Sequence, residues 1–422
     1  MKRRAALAMA TTASGGVAML AIAWLAARRL TTAELGFFFS FLSFGALMQL
    51  GDFGLSYATL QAAGGLAGSG RGHELASLER RVVKWNIFAT AIAAAAVALL
   101  GWATFSSQRS MSTVAWRSPW LAYLAAIIAS QLTMPRISLR EGGGRIEQMW
   151  TLRLVQELAG GAACLVALHA GAALYSLAAY AGVRALVAGV WLTFGDPLHH
   201  DRASPRYTIE RWMAEVWPFQ WKIALSGLSG FLIFRSFSPI VLLEKGPVAA
   251  GQFGLAVSLM NLLIAVTTAW PLSQAAHYAA LNASGGHAEL RRSFPTMLWA
   301  SSAFSILATV TSVAGLAEAR TLGISVALRL PDMTTTTLIL ATAIIHHVVA
   351  CFAVFLRAEG REPLLVASVV GSIGTVAVIW ATAHIGSLRD VAIANFLCTM
   401  VGIPVVLFLF RLRIGRLNAL AS

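Results

Sequence analysis

The feature that most constrains this chain is a series of apolar runs, each long enough to cross a lipid bilayer as a helix. A spanning helix needs about 20 mostly apolar residues, because its backbone N–H and C=O groups must all be hydrogen-bonded internally in hydrocarbon. The sequence contains twelve such runs. Their predicted limits are 6–27, 35–57, 85–106, 118–137, 148–168, 171–194, 216–243, 249–272, 294–317, 336–356, 363–386 and 390–410. We therefore expect an all-α polytopic membrane protein.

The composition excludes an ordinary soluble domain. Hydrophobic residues make up 58% of the chain and charged residues only 12%, whereas soluble domains are about 25% charged. Cys164, Cys351 and Cys398 lie inside apolar runs, where sulfur behaves as a small hydrophobe. Neither a disulfide nor a metal site is predicted. We expect no cofactor, with a proton or sodium ion as the candidate coupling ion.

The distribution of lysine and arginine predicts the orientation, since cytoplasmic loops carry the positive excess. With the N-terminus inside, 22 Lys and Arg residues fall on the cytoplasmic side and 9 on the opposite side, while Arg184 lies within a span. Both termini are therefore predicted to be cytoplasmic. The net charge of +14 then reflects topology and attraction to anionic lipid, so no nucleic-acid partner is expected.

An internal repeat relates the two halves of the chain. YATLQAAGG at 57–65 recurs as YAALNASGG at 278–286, with six of nine positions identical. Upstream, AELGFFFSF from Ala33 recurs loosely as GQFGLAVSL from Gly251. The second span therefore corresponds to the eighth. Because an even number of spans separates them, the halves should have the same orientation and be related by an axis along the membrane normal.

We accordingly expect two parallel six-helix lobes, with a substrate cavity at their interface and alternating access between them. The polar stretch GDPLHHDRASPRYTIERW, residues 195–212, supplies the joint. The predicted divisions are an N-terminal lobe 1–195, a cytoplasmic linker 196–213 and a C-terminal lobe 214–422.

Asp52, Phe53 and Gly54 spell the tripeptide that binds magnesium in protein kinases. Kinase chemistry also needs a Gly-rich loop, a strand lysine and a His-Arg-Asp catalytic loop, and the sequence contains none of these. Two interpretations of Asp52 remain. It is either a helix-end residue that reaches water, Arg71 or Arg80, or a carboxylate that couples transport to an ion.

Three charged residues are predicted to lie close together in the fifth and sixth spans, two of them at one depth. Counting from a hairpin turn near Ala170, Glu157 and Arg184 both lie about 20 Å from the turn. Arg153 is one helical turn from Glu157 and is predicted to share its carboxylate. The functional interpretation is a cluster that offers an arginine to a diphosphate or an acidic sugar. The structural alternative is an ion pair that locks the hairpin, with Arg153 extending to the membrane surface.

Two further spans carry polar residues. Arg235 lies in the seventh span, four residues before Pro239, so a broken helix with a cationic residue is predicted there. Arg235 faces either the cavity or the outer headgroups. His346 and His347 lie in the middle of the tenth span. His346 is the candidate proton-responsive residue, and a neutral packing histidine is the alternative.

The chain resembles the polysaccharide-transport branch of the multidrug, oligosaccharidyl-lipid and polysaccharide exporter superfamily, which includes the O-antigen flippases. The resemblance covers most of the chain and rests on two segments, LTTAELGFFFSFLSFGALMQLGDFGLSYATLQ and the weaker AAGQFGLAVSLMNLLIAVTTAWPLSQAAHYAALNASGG. It implies the MATE-like exporter fold, a V-shaped pair of six-helix bundles. It further implies a flippase that moves an undecaprenyl-diphosphate-linked oligosaccharide, such as an O-antigen, capsule or exopolysaccharide unit, across the bacterial inner membrane. The lipid-linked oligosaccharide, the bilayer and the polysaccharide polymerase machinery are the candidate partners.

Two other functions are weighed against the flippase. A cation-coupled exporter of small molecules or drugs would use the same fold, although such a pump should present unpaired carboxylates. A membrane polysaccharide polymerase or ligase would need catalytic residues on a large external loop, and the longest external connection, 318–335, is short. We therefore expect a transporter and not an enzyme. The predicted substrate-binding residues are Arg184, Arg235 and Arg153. The predicted coupling or ion-pair residues are Glu157, Asp52 and His346.

Overall fold

A computed structural model describes residues 2–108, 113–195, 208–284, 286–358 and 363–419. These residues form helices joined by short turns, and the described ranges contain no β-strand. The α-helices are α1 Lys2–Arg29, α2 Thr32–Gln49, α3 Leu55–Gly68, α4 Leu75–Ser106, α5 Arg117–Gly142, α6 Ile146–His169, α7 Tyr175–Val190, α8 Ile209–Glu215, α9 Trp217–Phe234, α10 Phe237–Ser273, α11 Ala275–Ala283, α12 His287–Thr321, α13 Ser325–Leu328, α14 Met333–Arg357, α15 Leu365–Ile385, α16 Leu388–Met400 and α17 Gly402–Ala419.

Nine segments within these ranges are long and apolar enough to cross a bilayer. One of them, Gln220–Ser273, is 54 residues long and contains a non-helical residue, Gly246, with φ 83° and ψ 175°. At 1.5 Å per residue this segment provides length for two crossings. Helices α1 and α5 coincide with the predicted first and fourth spans. The prediction of an all-α polytopic membrane fold is confirmed.

The chain divides into two compact units. Unit 1 comprises Met1–Phe231 and Gly246–Gly251, and unit 2 comprises Leu232–Lys245 and Gln252–Ser422. The predicted division into lobes 1–195 and 214–422 stays a prediction. Residues 196–207 of the predicted linker lie outside the described residues.

An aromatic core joins α2, α4 and α5 in unit 1. The Trp120 side chain is fully buried, and its ring lies 5.1 to 6.3 Å, centroid to centroid, from the rings of Phe41, Phe44, Phe105 and Tyr123. Burial of large aromatic side chains and their tilted contacts both stabilise such a core. The described helices of the first six predicted spans therefore have an apolar centre of their own.

The end of the predicted linker packs against unit 1. In α8, Trp212 is buried together with Val216 in an apolar cluster that includes Leu55 and Leu78. Large buried aromatic residues dominate the energetics of such contacts. This portion of the linker is therefore a helix docked on unit 1.

Unit 2 contains a second aromatic core, formed by α12, α14 and α17. The Phe294 ring lies 4.7 Å from that of Phe355 and 5.3 Å from those of Phe352 and Phe410, centroid to centroid. Arg413 of α17 is buried beside this core and donates a hydrogen bond of 2.8 Å to the Leu356 carbonyl. The arginine thus satisfies a carbonyl at the end of α14, which has no partner within its own helix.

The sequence repeat is confirmed as a repeat of helix order. YATLQAAGG lies in the short α3, between the long helices α2 and α4, and YAALNASGG begins in the short α11, between the long helices α10 and α12. Both copies therefore begin in a short helix that follows a longer one. The groups that cap the starts of these two short helices differ.

Candidate functional site

The hairpin of α6 and α7 positions the predicted charged cluster. Helix α6 ends at His169 and α7 begins at Tyr175, and between them Gly171 and Ala173 have positive φ angles of 78° and 46°. These left-handed residues reverse the chain within a short turn. The two helices then pack side by side, which brings residues equally distant from the turn to the same depth.

Glu157 and Arg184 form the predicted ion pair. The Arg184 Nη2 atom lies 2.7 Å from Glu157 Oε1. Tyr180 joins the two groups, because its hydroxyl donates to Glu157 Oε2 at 2.9 Å and accepts from Arg184 Nη1 at 3.0 Å. The guanidinium also lies over the Tyr180 ring, 5.1 Å from its centroid. We call Glu157, Tyr180 and Arg184 the arginine cluster.

Small and polar neighbours hold the arginine cluster in place. A Cβ atom on Gly160 would lie 2.6 Å from Arg184 Cγ, so the glycine makes room for the arginine stem. Gln156 is buried and donates to the Arg184 backbone carbonyl at 2.9 Å. On α1, the Cβ position of Gly15 is 3.8 Å from Glu157 Oε2. The cluster therefore lies among α1, α6 and α7, all within unit 1.

The arrangement leaves arginine donors for a further anion. The Glu157 and Arg184 side chains are each 18% exposed, so the pair is mostly withdrawn from solvent. A guanidinium has five N–H donors, and the contacts with Glu157 and Tyr180 occupy one hydrogen on each Nη atom. Planar pairs of such donors match phosphate and carboxylate oxygens. The cluster is thus chemically suited to bind an anion while remaining neutralised when none is bound.

Arg153 does not join the arginine cluster, and the prediction that it shares the Glu157 carboxylate is wrong. Its Nη2 atom lies 2.7 Å from Glu141 Oε2, near the end of α5, and its guanidinium lies 5.1 Å from the Trp150 ring centroid. Helical side chains lean toward the N-terminus of their helix, which directs Arg153 toward Trp150 and away from Glu157. Its predicted role in substrate binding stays a prediction.

Asp52 is a buried capping residue. Its Oδ1 accepts the Gly54 N–H at 2.9 Å and its Oδ2 accepts the Ser56 N–H at 3.0 Å, which satisfies amides at the start of α3. Phe53 and Gly54 have φ angles of 50° and 77°. The interpretation of Asp52 as a helix-end residue is confirmed, but backbone amides, and not Arg71 or Arg80, bind its carboxylate. Its alternative role as a coupling carboxylate stays a prediction.

The predicted break at Arg235 is confirmed. Helix α9 ends at Phe234 and α10 begins at Phe237, and Arg235 lies in the two-residue gap with an exposed side chain. Pro239 follows in the first turn of α10, where its missing N–H costs no helical hydrogen bond. The predicted contact between Arg235 and a substrate stays a prediction.

The two histidines of α14 have different surroundings. The His346 ring lies 4.7 Å from the Phe234 ring, centroid to centroid. The His347 ring is fully buried, and its Nε2 atom lies 3.1 Å from Ser301 Oγ and 3.5 Å from Cys351 Sγ. The proposed proton response of His346 stays a prediction. The structure adds a polar cluster around its neighbour that the sequence pattern did not reveal.

Sequence reasoning also missed two ion-pair groups in unit 1. Glu74 pairs with Arg71 at 2.6 Å and with Arg211 of α8. Glu79 pairs with Arg140 at 3.3 Å, and both side chains are almost fully buried. The charged stretch before the third span, which contains both Glu74 and Glu79, was the available signal, but Arg140 and Arg211 are distant from it in sequence. Among the described residues, no group of three His, Cys, Asp or Glu side chains forms a metal site.

Comparison with solved structures finds this fold in membrane transporters. An inward-facing multidrug-resistance MATE-family transporter of the MOP superfamily matches with TM-score 0.70 and 13% identity, covering 98% of this chain and 100% of that chain. Lipid II flippase MurJ, in an inward closed conformation, matches with TM-score 0.65 and 11% identity, covering 96% of this chain and 87% of that chain. An outward-facing MATE-family transporter matches with TM-score 0.57 and 15% identity, covering 99% and 96%.

No family model and no curated protein matches the sequence. The structural likeness extends over nearly the whole chain, and it agrees with the apolar helices found among the described residues. The chain is a multi-pass membrane protein with the fold of the MOP-superfamily transporters.

Proposed function

We propose that this protein is a membrane transporter for an anionic lipid-linked cargo, specifically a flippase for an undecaprenyl-diphosphate-linked oligosaccharide. The observation that carries the proposal is the arginine cluster of unit 1, in which Arg184 is held inside a predicted span beside Glu157 and Tyr180. Guanidinium groups bind phosphate oxygens through paired, planar N–H donors. A charge near the bilayer centre costs at least about 2.5 kcal/mol, so a diphosphate that crosses needs such a partner.

The fold supports transport as the general activity. The matched structures include a protein named as a lipid II flippase and others named as multidrug transporters. In our proposal the protein acts in the bacterial inner membrane with both termini in the cytoplasm. It delivers its oligosaccharide, an O-antigen, capsule or exopolysaccharide unit, to the polysaccharide polymerase machinery on the other side.

The arginine cluster provides a simple exchange of partners. Without cargo, Glu157 neutralises Arg184, and Tyr180 bridges the carboxylate and the guanidinium. An arriving anionic headgroup binds the remaining guanidinium donors and competes with Glu157 for the others. When the headgroup leaves, Glu157 restores the neutral pair. The arginine is therefore never left as an unpaired charge in a low-dielectric environment.

A cation-coupled exporter of small molecules is the second candidate. The likeness to a multidrug transporter, with TM-score 0.70, favours this function. Glu157 would then be the group of interest, because a carboxylate inside a span attracts organic cations or a coupling ion. The flippase would use Arg184 to bind an anionic cargo, and the exporter would use Glu157 to bind a cation. Substituting each residue separately therefore distinguishes the two functions.

The test compares Arg184→Gln, Glu157→Gln and the double variant in cells that lack the chromosomal copy and in proteoliposomes. Flipping of a fluorescent diphosphate-linked oligosaccharide and efflux of a fluorescent organic cation are both measured. If the guanidinium binds the cargo, Arg184→Gln and the double variant both lose flipping by tenfold or more, since a hydrogen bond to a charged group contributes about 1.5–3 kcal/mol. Glu157→Gln should then retain its flipping rate, once that rate is divided by the amount of protein expressed.

Arg389→Gln is the matched control, because Arg389 is an exposed arginine paired with Asp332 in unit 2. Its flipping rate should equal that of the unmodified protein. Normal flipping by the double variant would show that the cluster is structural and would overturn the proposal. Cation efflux that requires Glu157, with no flipping at all, would establish the exporter instead.

A further inference from the structure

The buried face of α12 changes character halfway along the helix. Its first half buries the apolar residues Leu290, Phe294 and Met297, and its second half buries only hydroxyl side chains among the described residues. These are Ser301, Ser305 and Thr309. Successive members of this second set are four residues apart and therefore share one helix face. We call these three residues the hydroxyl row.

The opposite face of the same half of α12 is apolar. Phe304, Ile306, Leu307 and Val310 are all exposed on unit 2, as expected for side chains that face lipid. A helix that is polar inside and apolar outside gains little hydrophobic stabilisation from its buried face. The hydroxyl row therefore needs an explanation other than packing.

Two hydroxyls of this row are not hydrogen-bonded within the described part of the chain. The oxygens of Ser305 and Thr309 are buried and have no hydrogen-bond partner there. Other buried hydroxyls in unit 2, including those of Thr267, Thr268 and Thr342, bond to a carbonyl one turn back. Buried polar groups are nearly always satisfied by protein or by water. Water is the partner that fits a row of inward-facing hydroxyls.

The row leads to the imidazole of His347. Ser301 Oγ lies 3.1 Å from His347 Nε2 and 3.6 Å from Cys351 Sγ. Hydroxyls four residues apart on a helix are about 6 Å apart, a distance that one water spans with two hydrogen bonds of about 2.8 Å. Ser301, Ser305 and Thr309 can therefore connect His347, through bridging waters, to a point about 12 Å further toward the C-terminal end of α12.

The burial of His347 and its neighbours limits the size of any ligand that can bind there. Ser301, His347 and Cys351 are at most 1% exposed, so a ligand must be as small as a proton or a water molecule. The titratable neighbours of His347 are Cys351 on its own helix and, beyond it, Tyr278 on α11. Helix α10 presents the backbone of Thr267 to the ring, and α12 presents Ser301.

We propose that His347 is a proton-binding site inside unit 2, hydrogen-bonded by Ser301 and reached along a water path lined by Ser305 and Thr309. Its use in driving transport rests on the proposed function, whereas proton binding itself does not. In the predicted orientation the C-terminal end of α12 faces the outside, so the path leads from His347 toward that side.

Proton binding is tested on the full-length protein in lipid nanodiscs with nitrogen-15-labelled histidine. The signal lost in His347→Gln identifies the ring, and its protonation is followed against pH by nuclear magnetic resonance. We expect a titration whose midpoint moves by about one pH unit to lower pH in Ser301→Ala, equal to about 1.4 kcal/mol. The reason is that the hydroxyl oxygen accepts a hydrogen bond from the protonated ring.

His346→Gln and Ser312→Ala are the controls, and both should leave the midpoint unchanged. The Ser312 hydroxyl lies on the same helix and bonds to the Ala308 carbonyl at 2.8 Å. A His347 signal that does not titrate while the protein stays folded would overturn the proposal. A midpoint that is the same in Ser301→Ala and Ser312→Ala would overturn it as well.

The water path is tested by the rate of protonation after a pH jump, followed by infrared spectroscopy of the labelled ring. Ser305→Ala combined with Thr309→Val should slow His347 protonation by at least about tenfold, whereas Ser305→Thr with Thr309→Ser keeps both hydroxyls and the rate. Equal rates in the two double variants would overturn the path. These measurements need no cargo, so failure of the flippase assay with a normal titration would contradict only the proposed function.

Discussion

Both units hold polar side chains among apolar helices, but the polar groups differ between the units. Unit 1 holds a half-buried ion pair, Glu157 with Arg184, bridged by a tyrosine hydroxyl. Unit 2 buries an imidazole, His347, with Ser301 and Cys351, beside hydroxyls on α12. The helix order repeats between the units, but the buried polar residues do not. The repeat therefore determines the order of the helices, but it does not determine which polar side chains lie between them.

The difference has an energetic consequence. Removing one partner of a half-buried ion pair leaves a charge without its partner, whereas removing one hydroxyl beside His347 leaves at worst an unsatisfied hydrogen bond. Unit 1 should therefore be more sensitive than unit 2 to single substitutions of its buried polar residues. Four experiments test or refine this contrast.

The largest effect is expected for the ion pair itself. Glu157→Gln leaves Arg184 without its carboxylate and should destabilise the protein by about 2–3 kcal/mol, measured as the free energy of unfolding in detergent by urea titration. Glu157→Gln with Arg184→Gln should recover most of this loss, because no net charge remains. Ser301→Ala in unit 2 should cost only about 1 kcal/mol. Equal losses for Glu157→Gln and Ser301→Ala would contradict the contrast.

A smaller effect is expected when the arginine stem is displaced. Gly160→Ala places a methyl group 2.6 Å from the present position of Arg184 Cγ, and overpacking of this kind costs about 1–3 kcal/mol. Gly189→Ala is the matched control on α7, because no atom lies within 4 Å of its Cβ position. The control should be neutral or slightly stabilising, since alanine is the better helix former. A thermal-unfolding series of the two variants measures the difference.

The two repeat-related turns are expected to differ by about 1 kcal/mol. Asp52→Ala removes a carboxylate that caps α3, and the loss of such a cap costs about 1 kcal/mol. Gln274→Ala, at the start of α11, should change stability by less, because Gln274 makes no side-chain cap. Asp52→Asn tests the coupling alternative. If transport survives in Asp52→Asn, the residue is a cap; loss of transport without loss of stability would favour the coupling carboxylate.

The smallest effect concerns acid stability at the start of α14. Hydrogen bonds from Thr335, together with the charge of Arg389, hold the pKa of Asp332 below its ordinary value. A carboxyl group with a lowered folded-state pKa stabilises the protein above its unfolded-state value, near pH 3.9, and this stabilisation is lost as the pH falls through the folded-state value. Asp332→Asn should therefore remove a shallow decline of melting temperature below about pH 4. If Asp332→Asn shows the same decline, the loss of stability in acid arises from other titratable groups.

The charged residues within the spans were predictable to different extents. Counting residues from the α6–α7 turn predicted that Glu157 and Arg184 meet, because helices rise by a fixed distance per residue. Tyr180 was also within reach of prediction, since it is four residues before Arg184 and shares its face. Arg153 was misassigned because two carboxylates, Glu141 and Glu157, lie close to it, and the direction of its side chain decided between them.

Features that depend on contacts distant in sequence were not predictable. The Asp-Phe-Gly stretch indicated a helix end. The sequence did not show that this end packs against α9, where a Cβ atom on Gly54 would lie 2.7 Å from the Gln220 carbonyl oxygen. The burial of Glu79 with Arg140 and the position of His347 beside Ser301 likewise join residues more than 40 positions apart. Hydropathy shows that such residues lie near or within spans, but not which partner each one meets.

The glycine beside the arginine stem has a consequence for the reach of Arg184. The Cβ position of Gly160 is 2.6 Å from Cγ and 3.0 Å from Cδ of that side chain, so the aliphatic portion of Arg184 lies directly against the backbone of α6. In the proposed flippase, a glycine at this position would let the cargo headgroup meet Arg184 close to the surface of α6, at a defined depth along the translocation route.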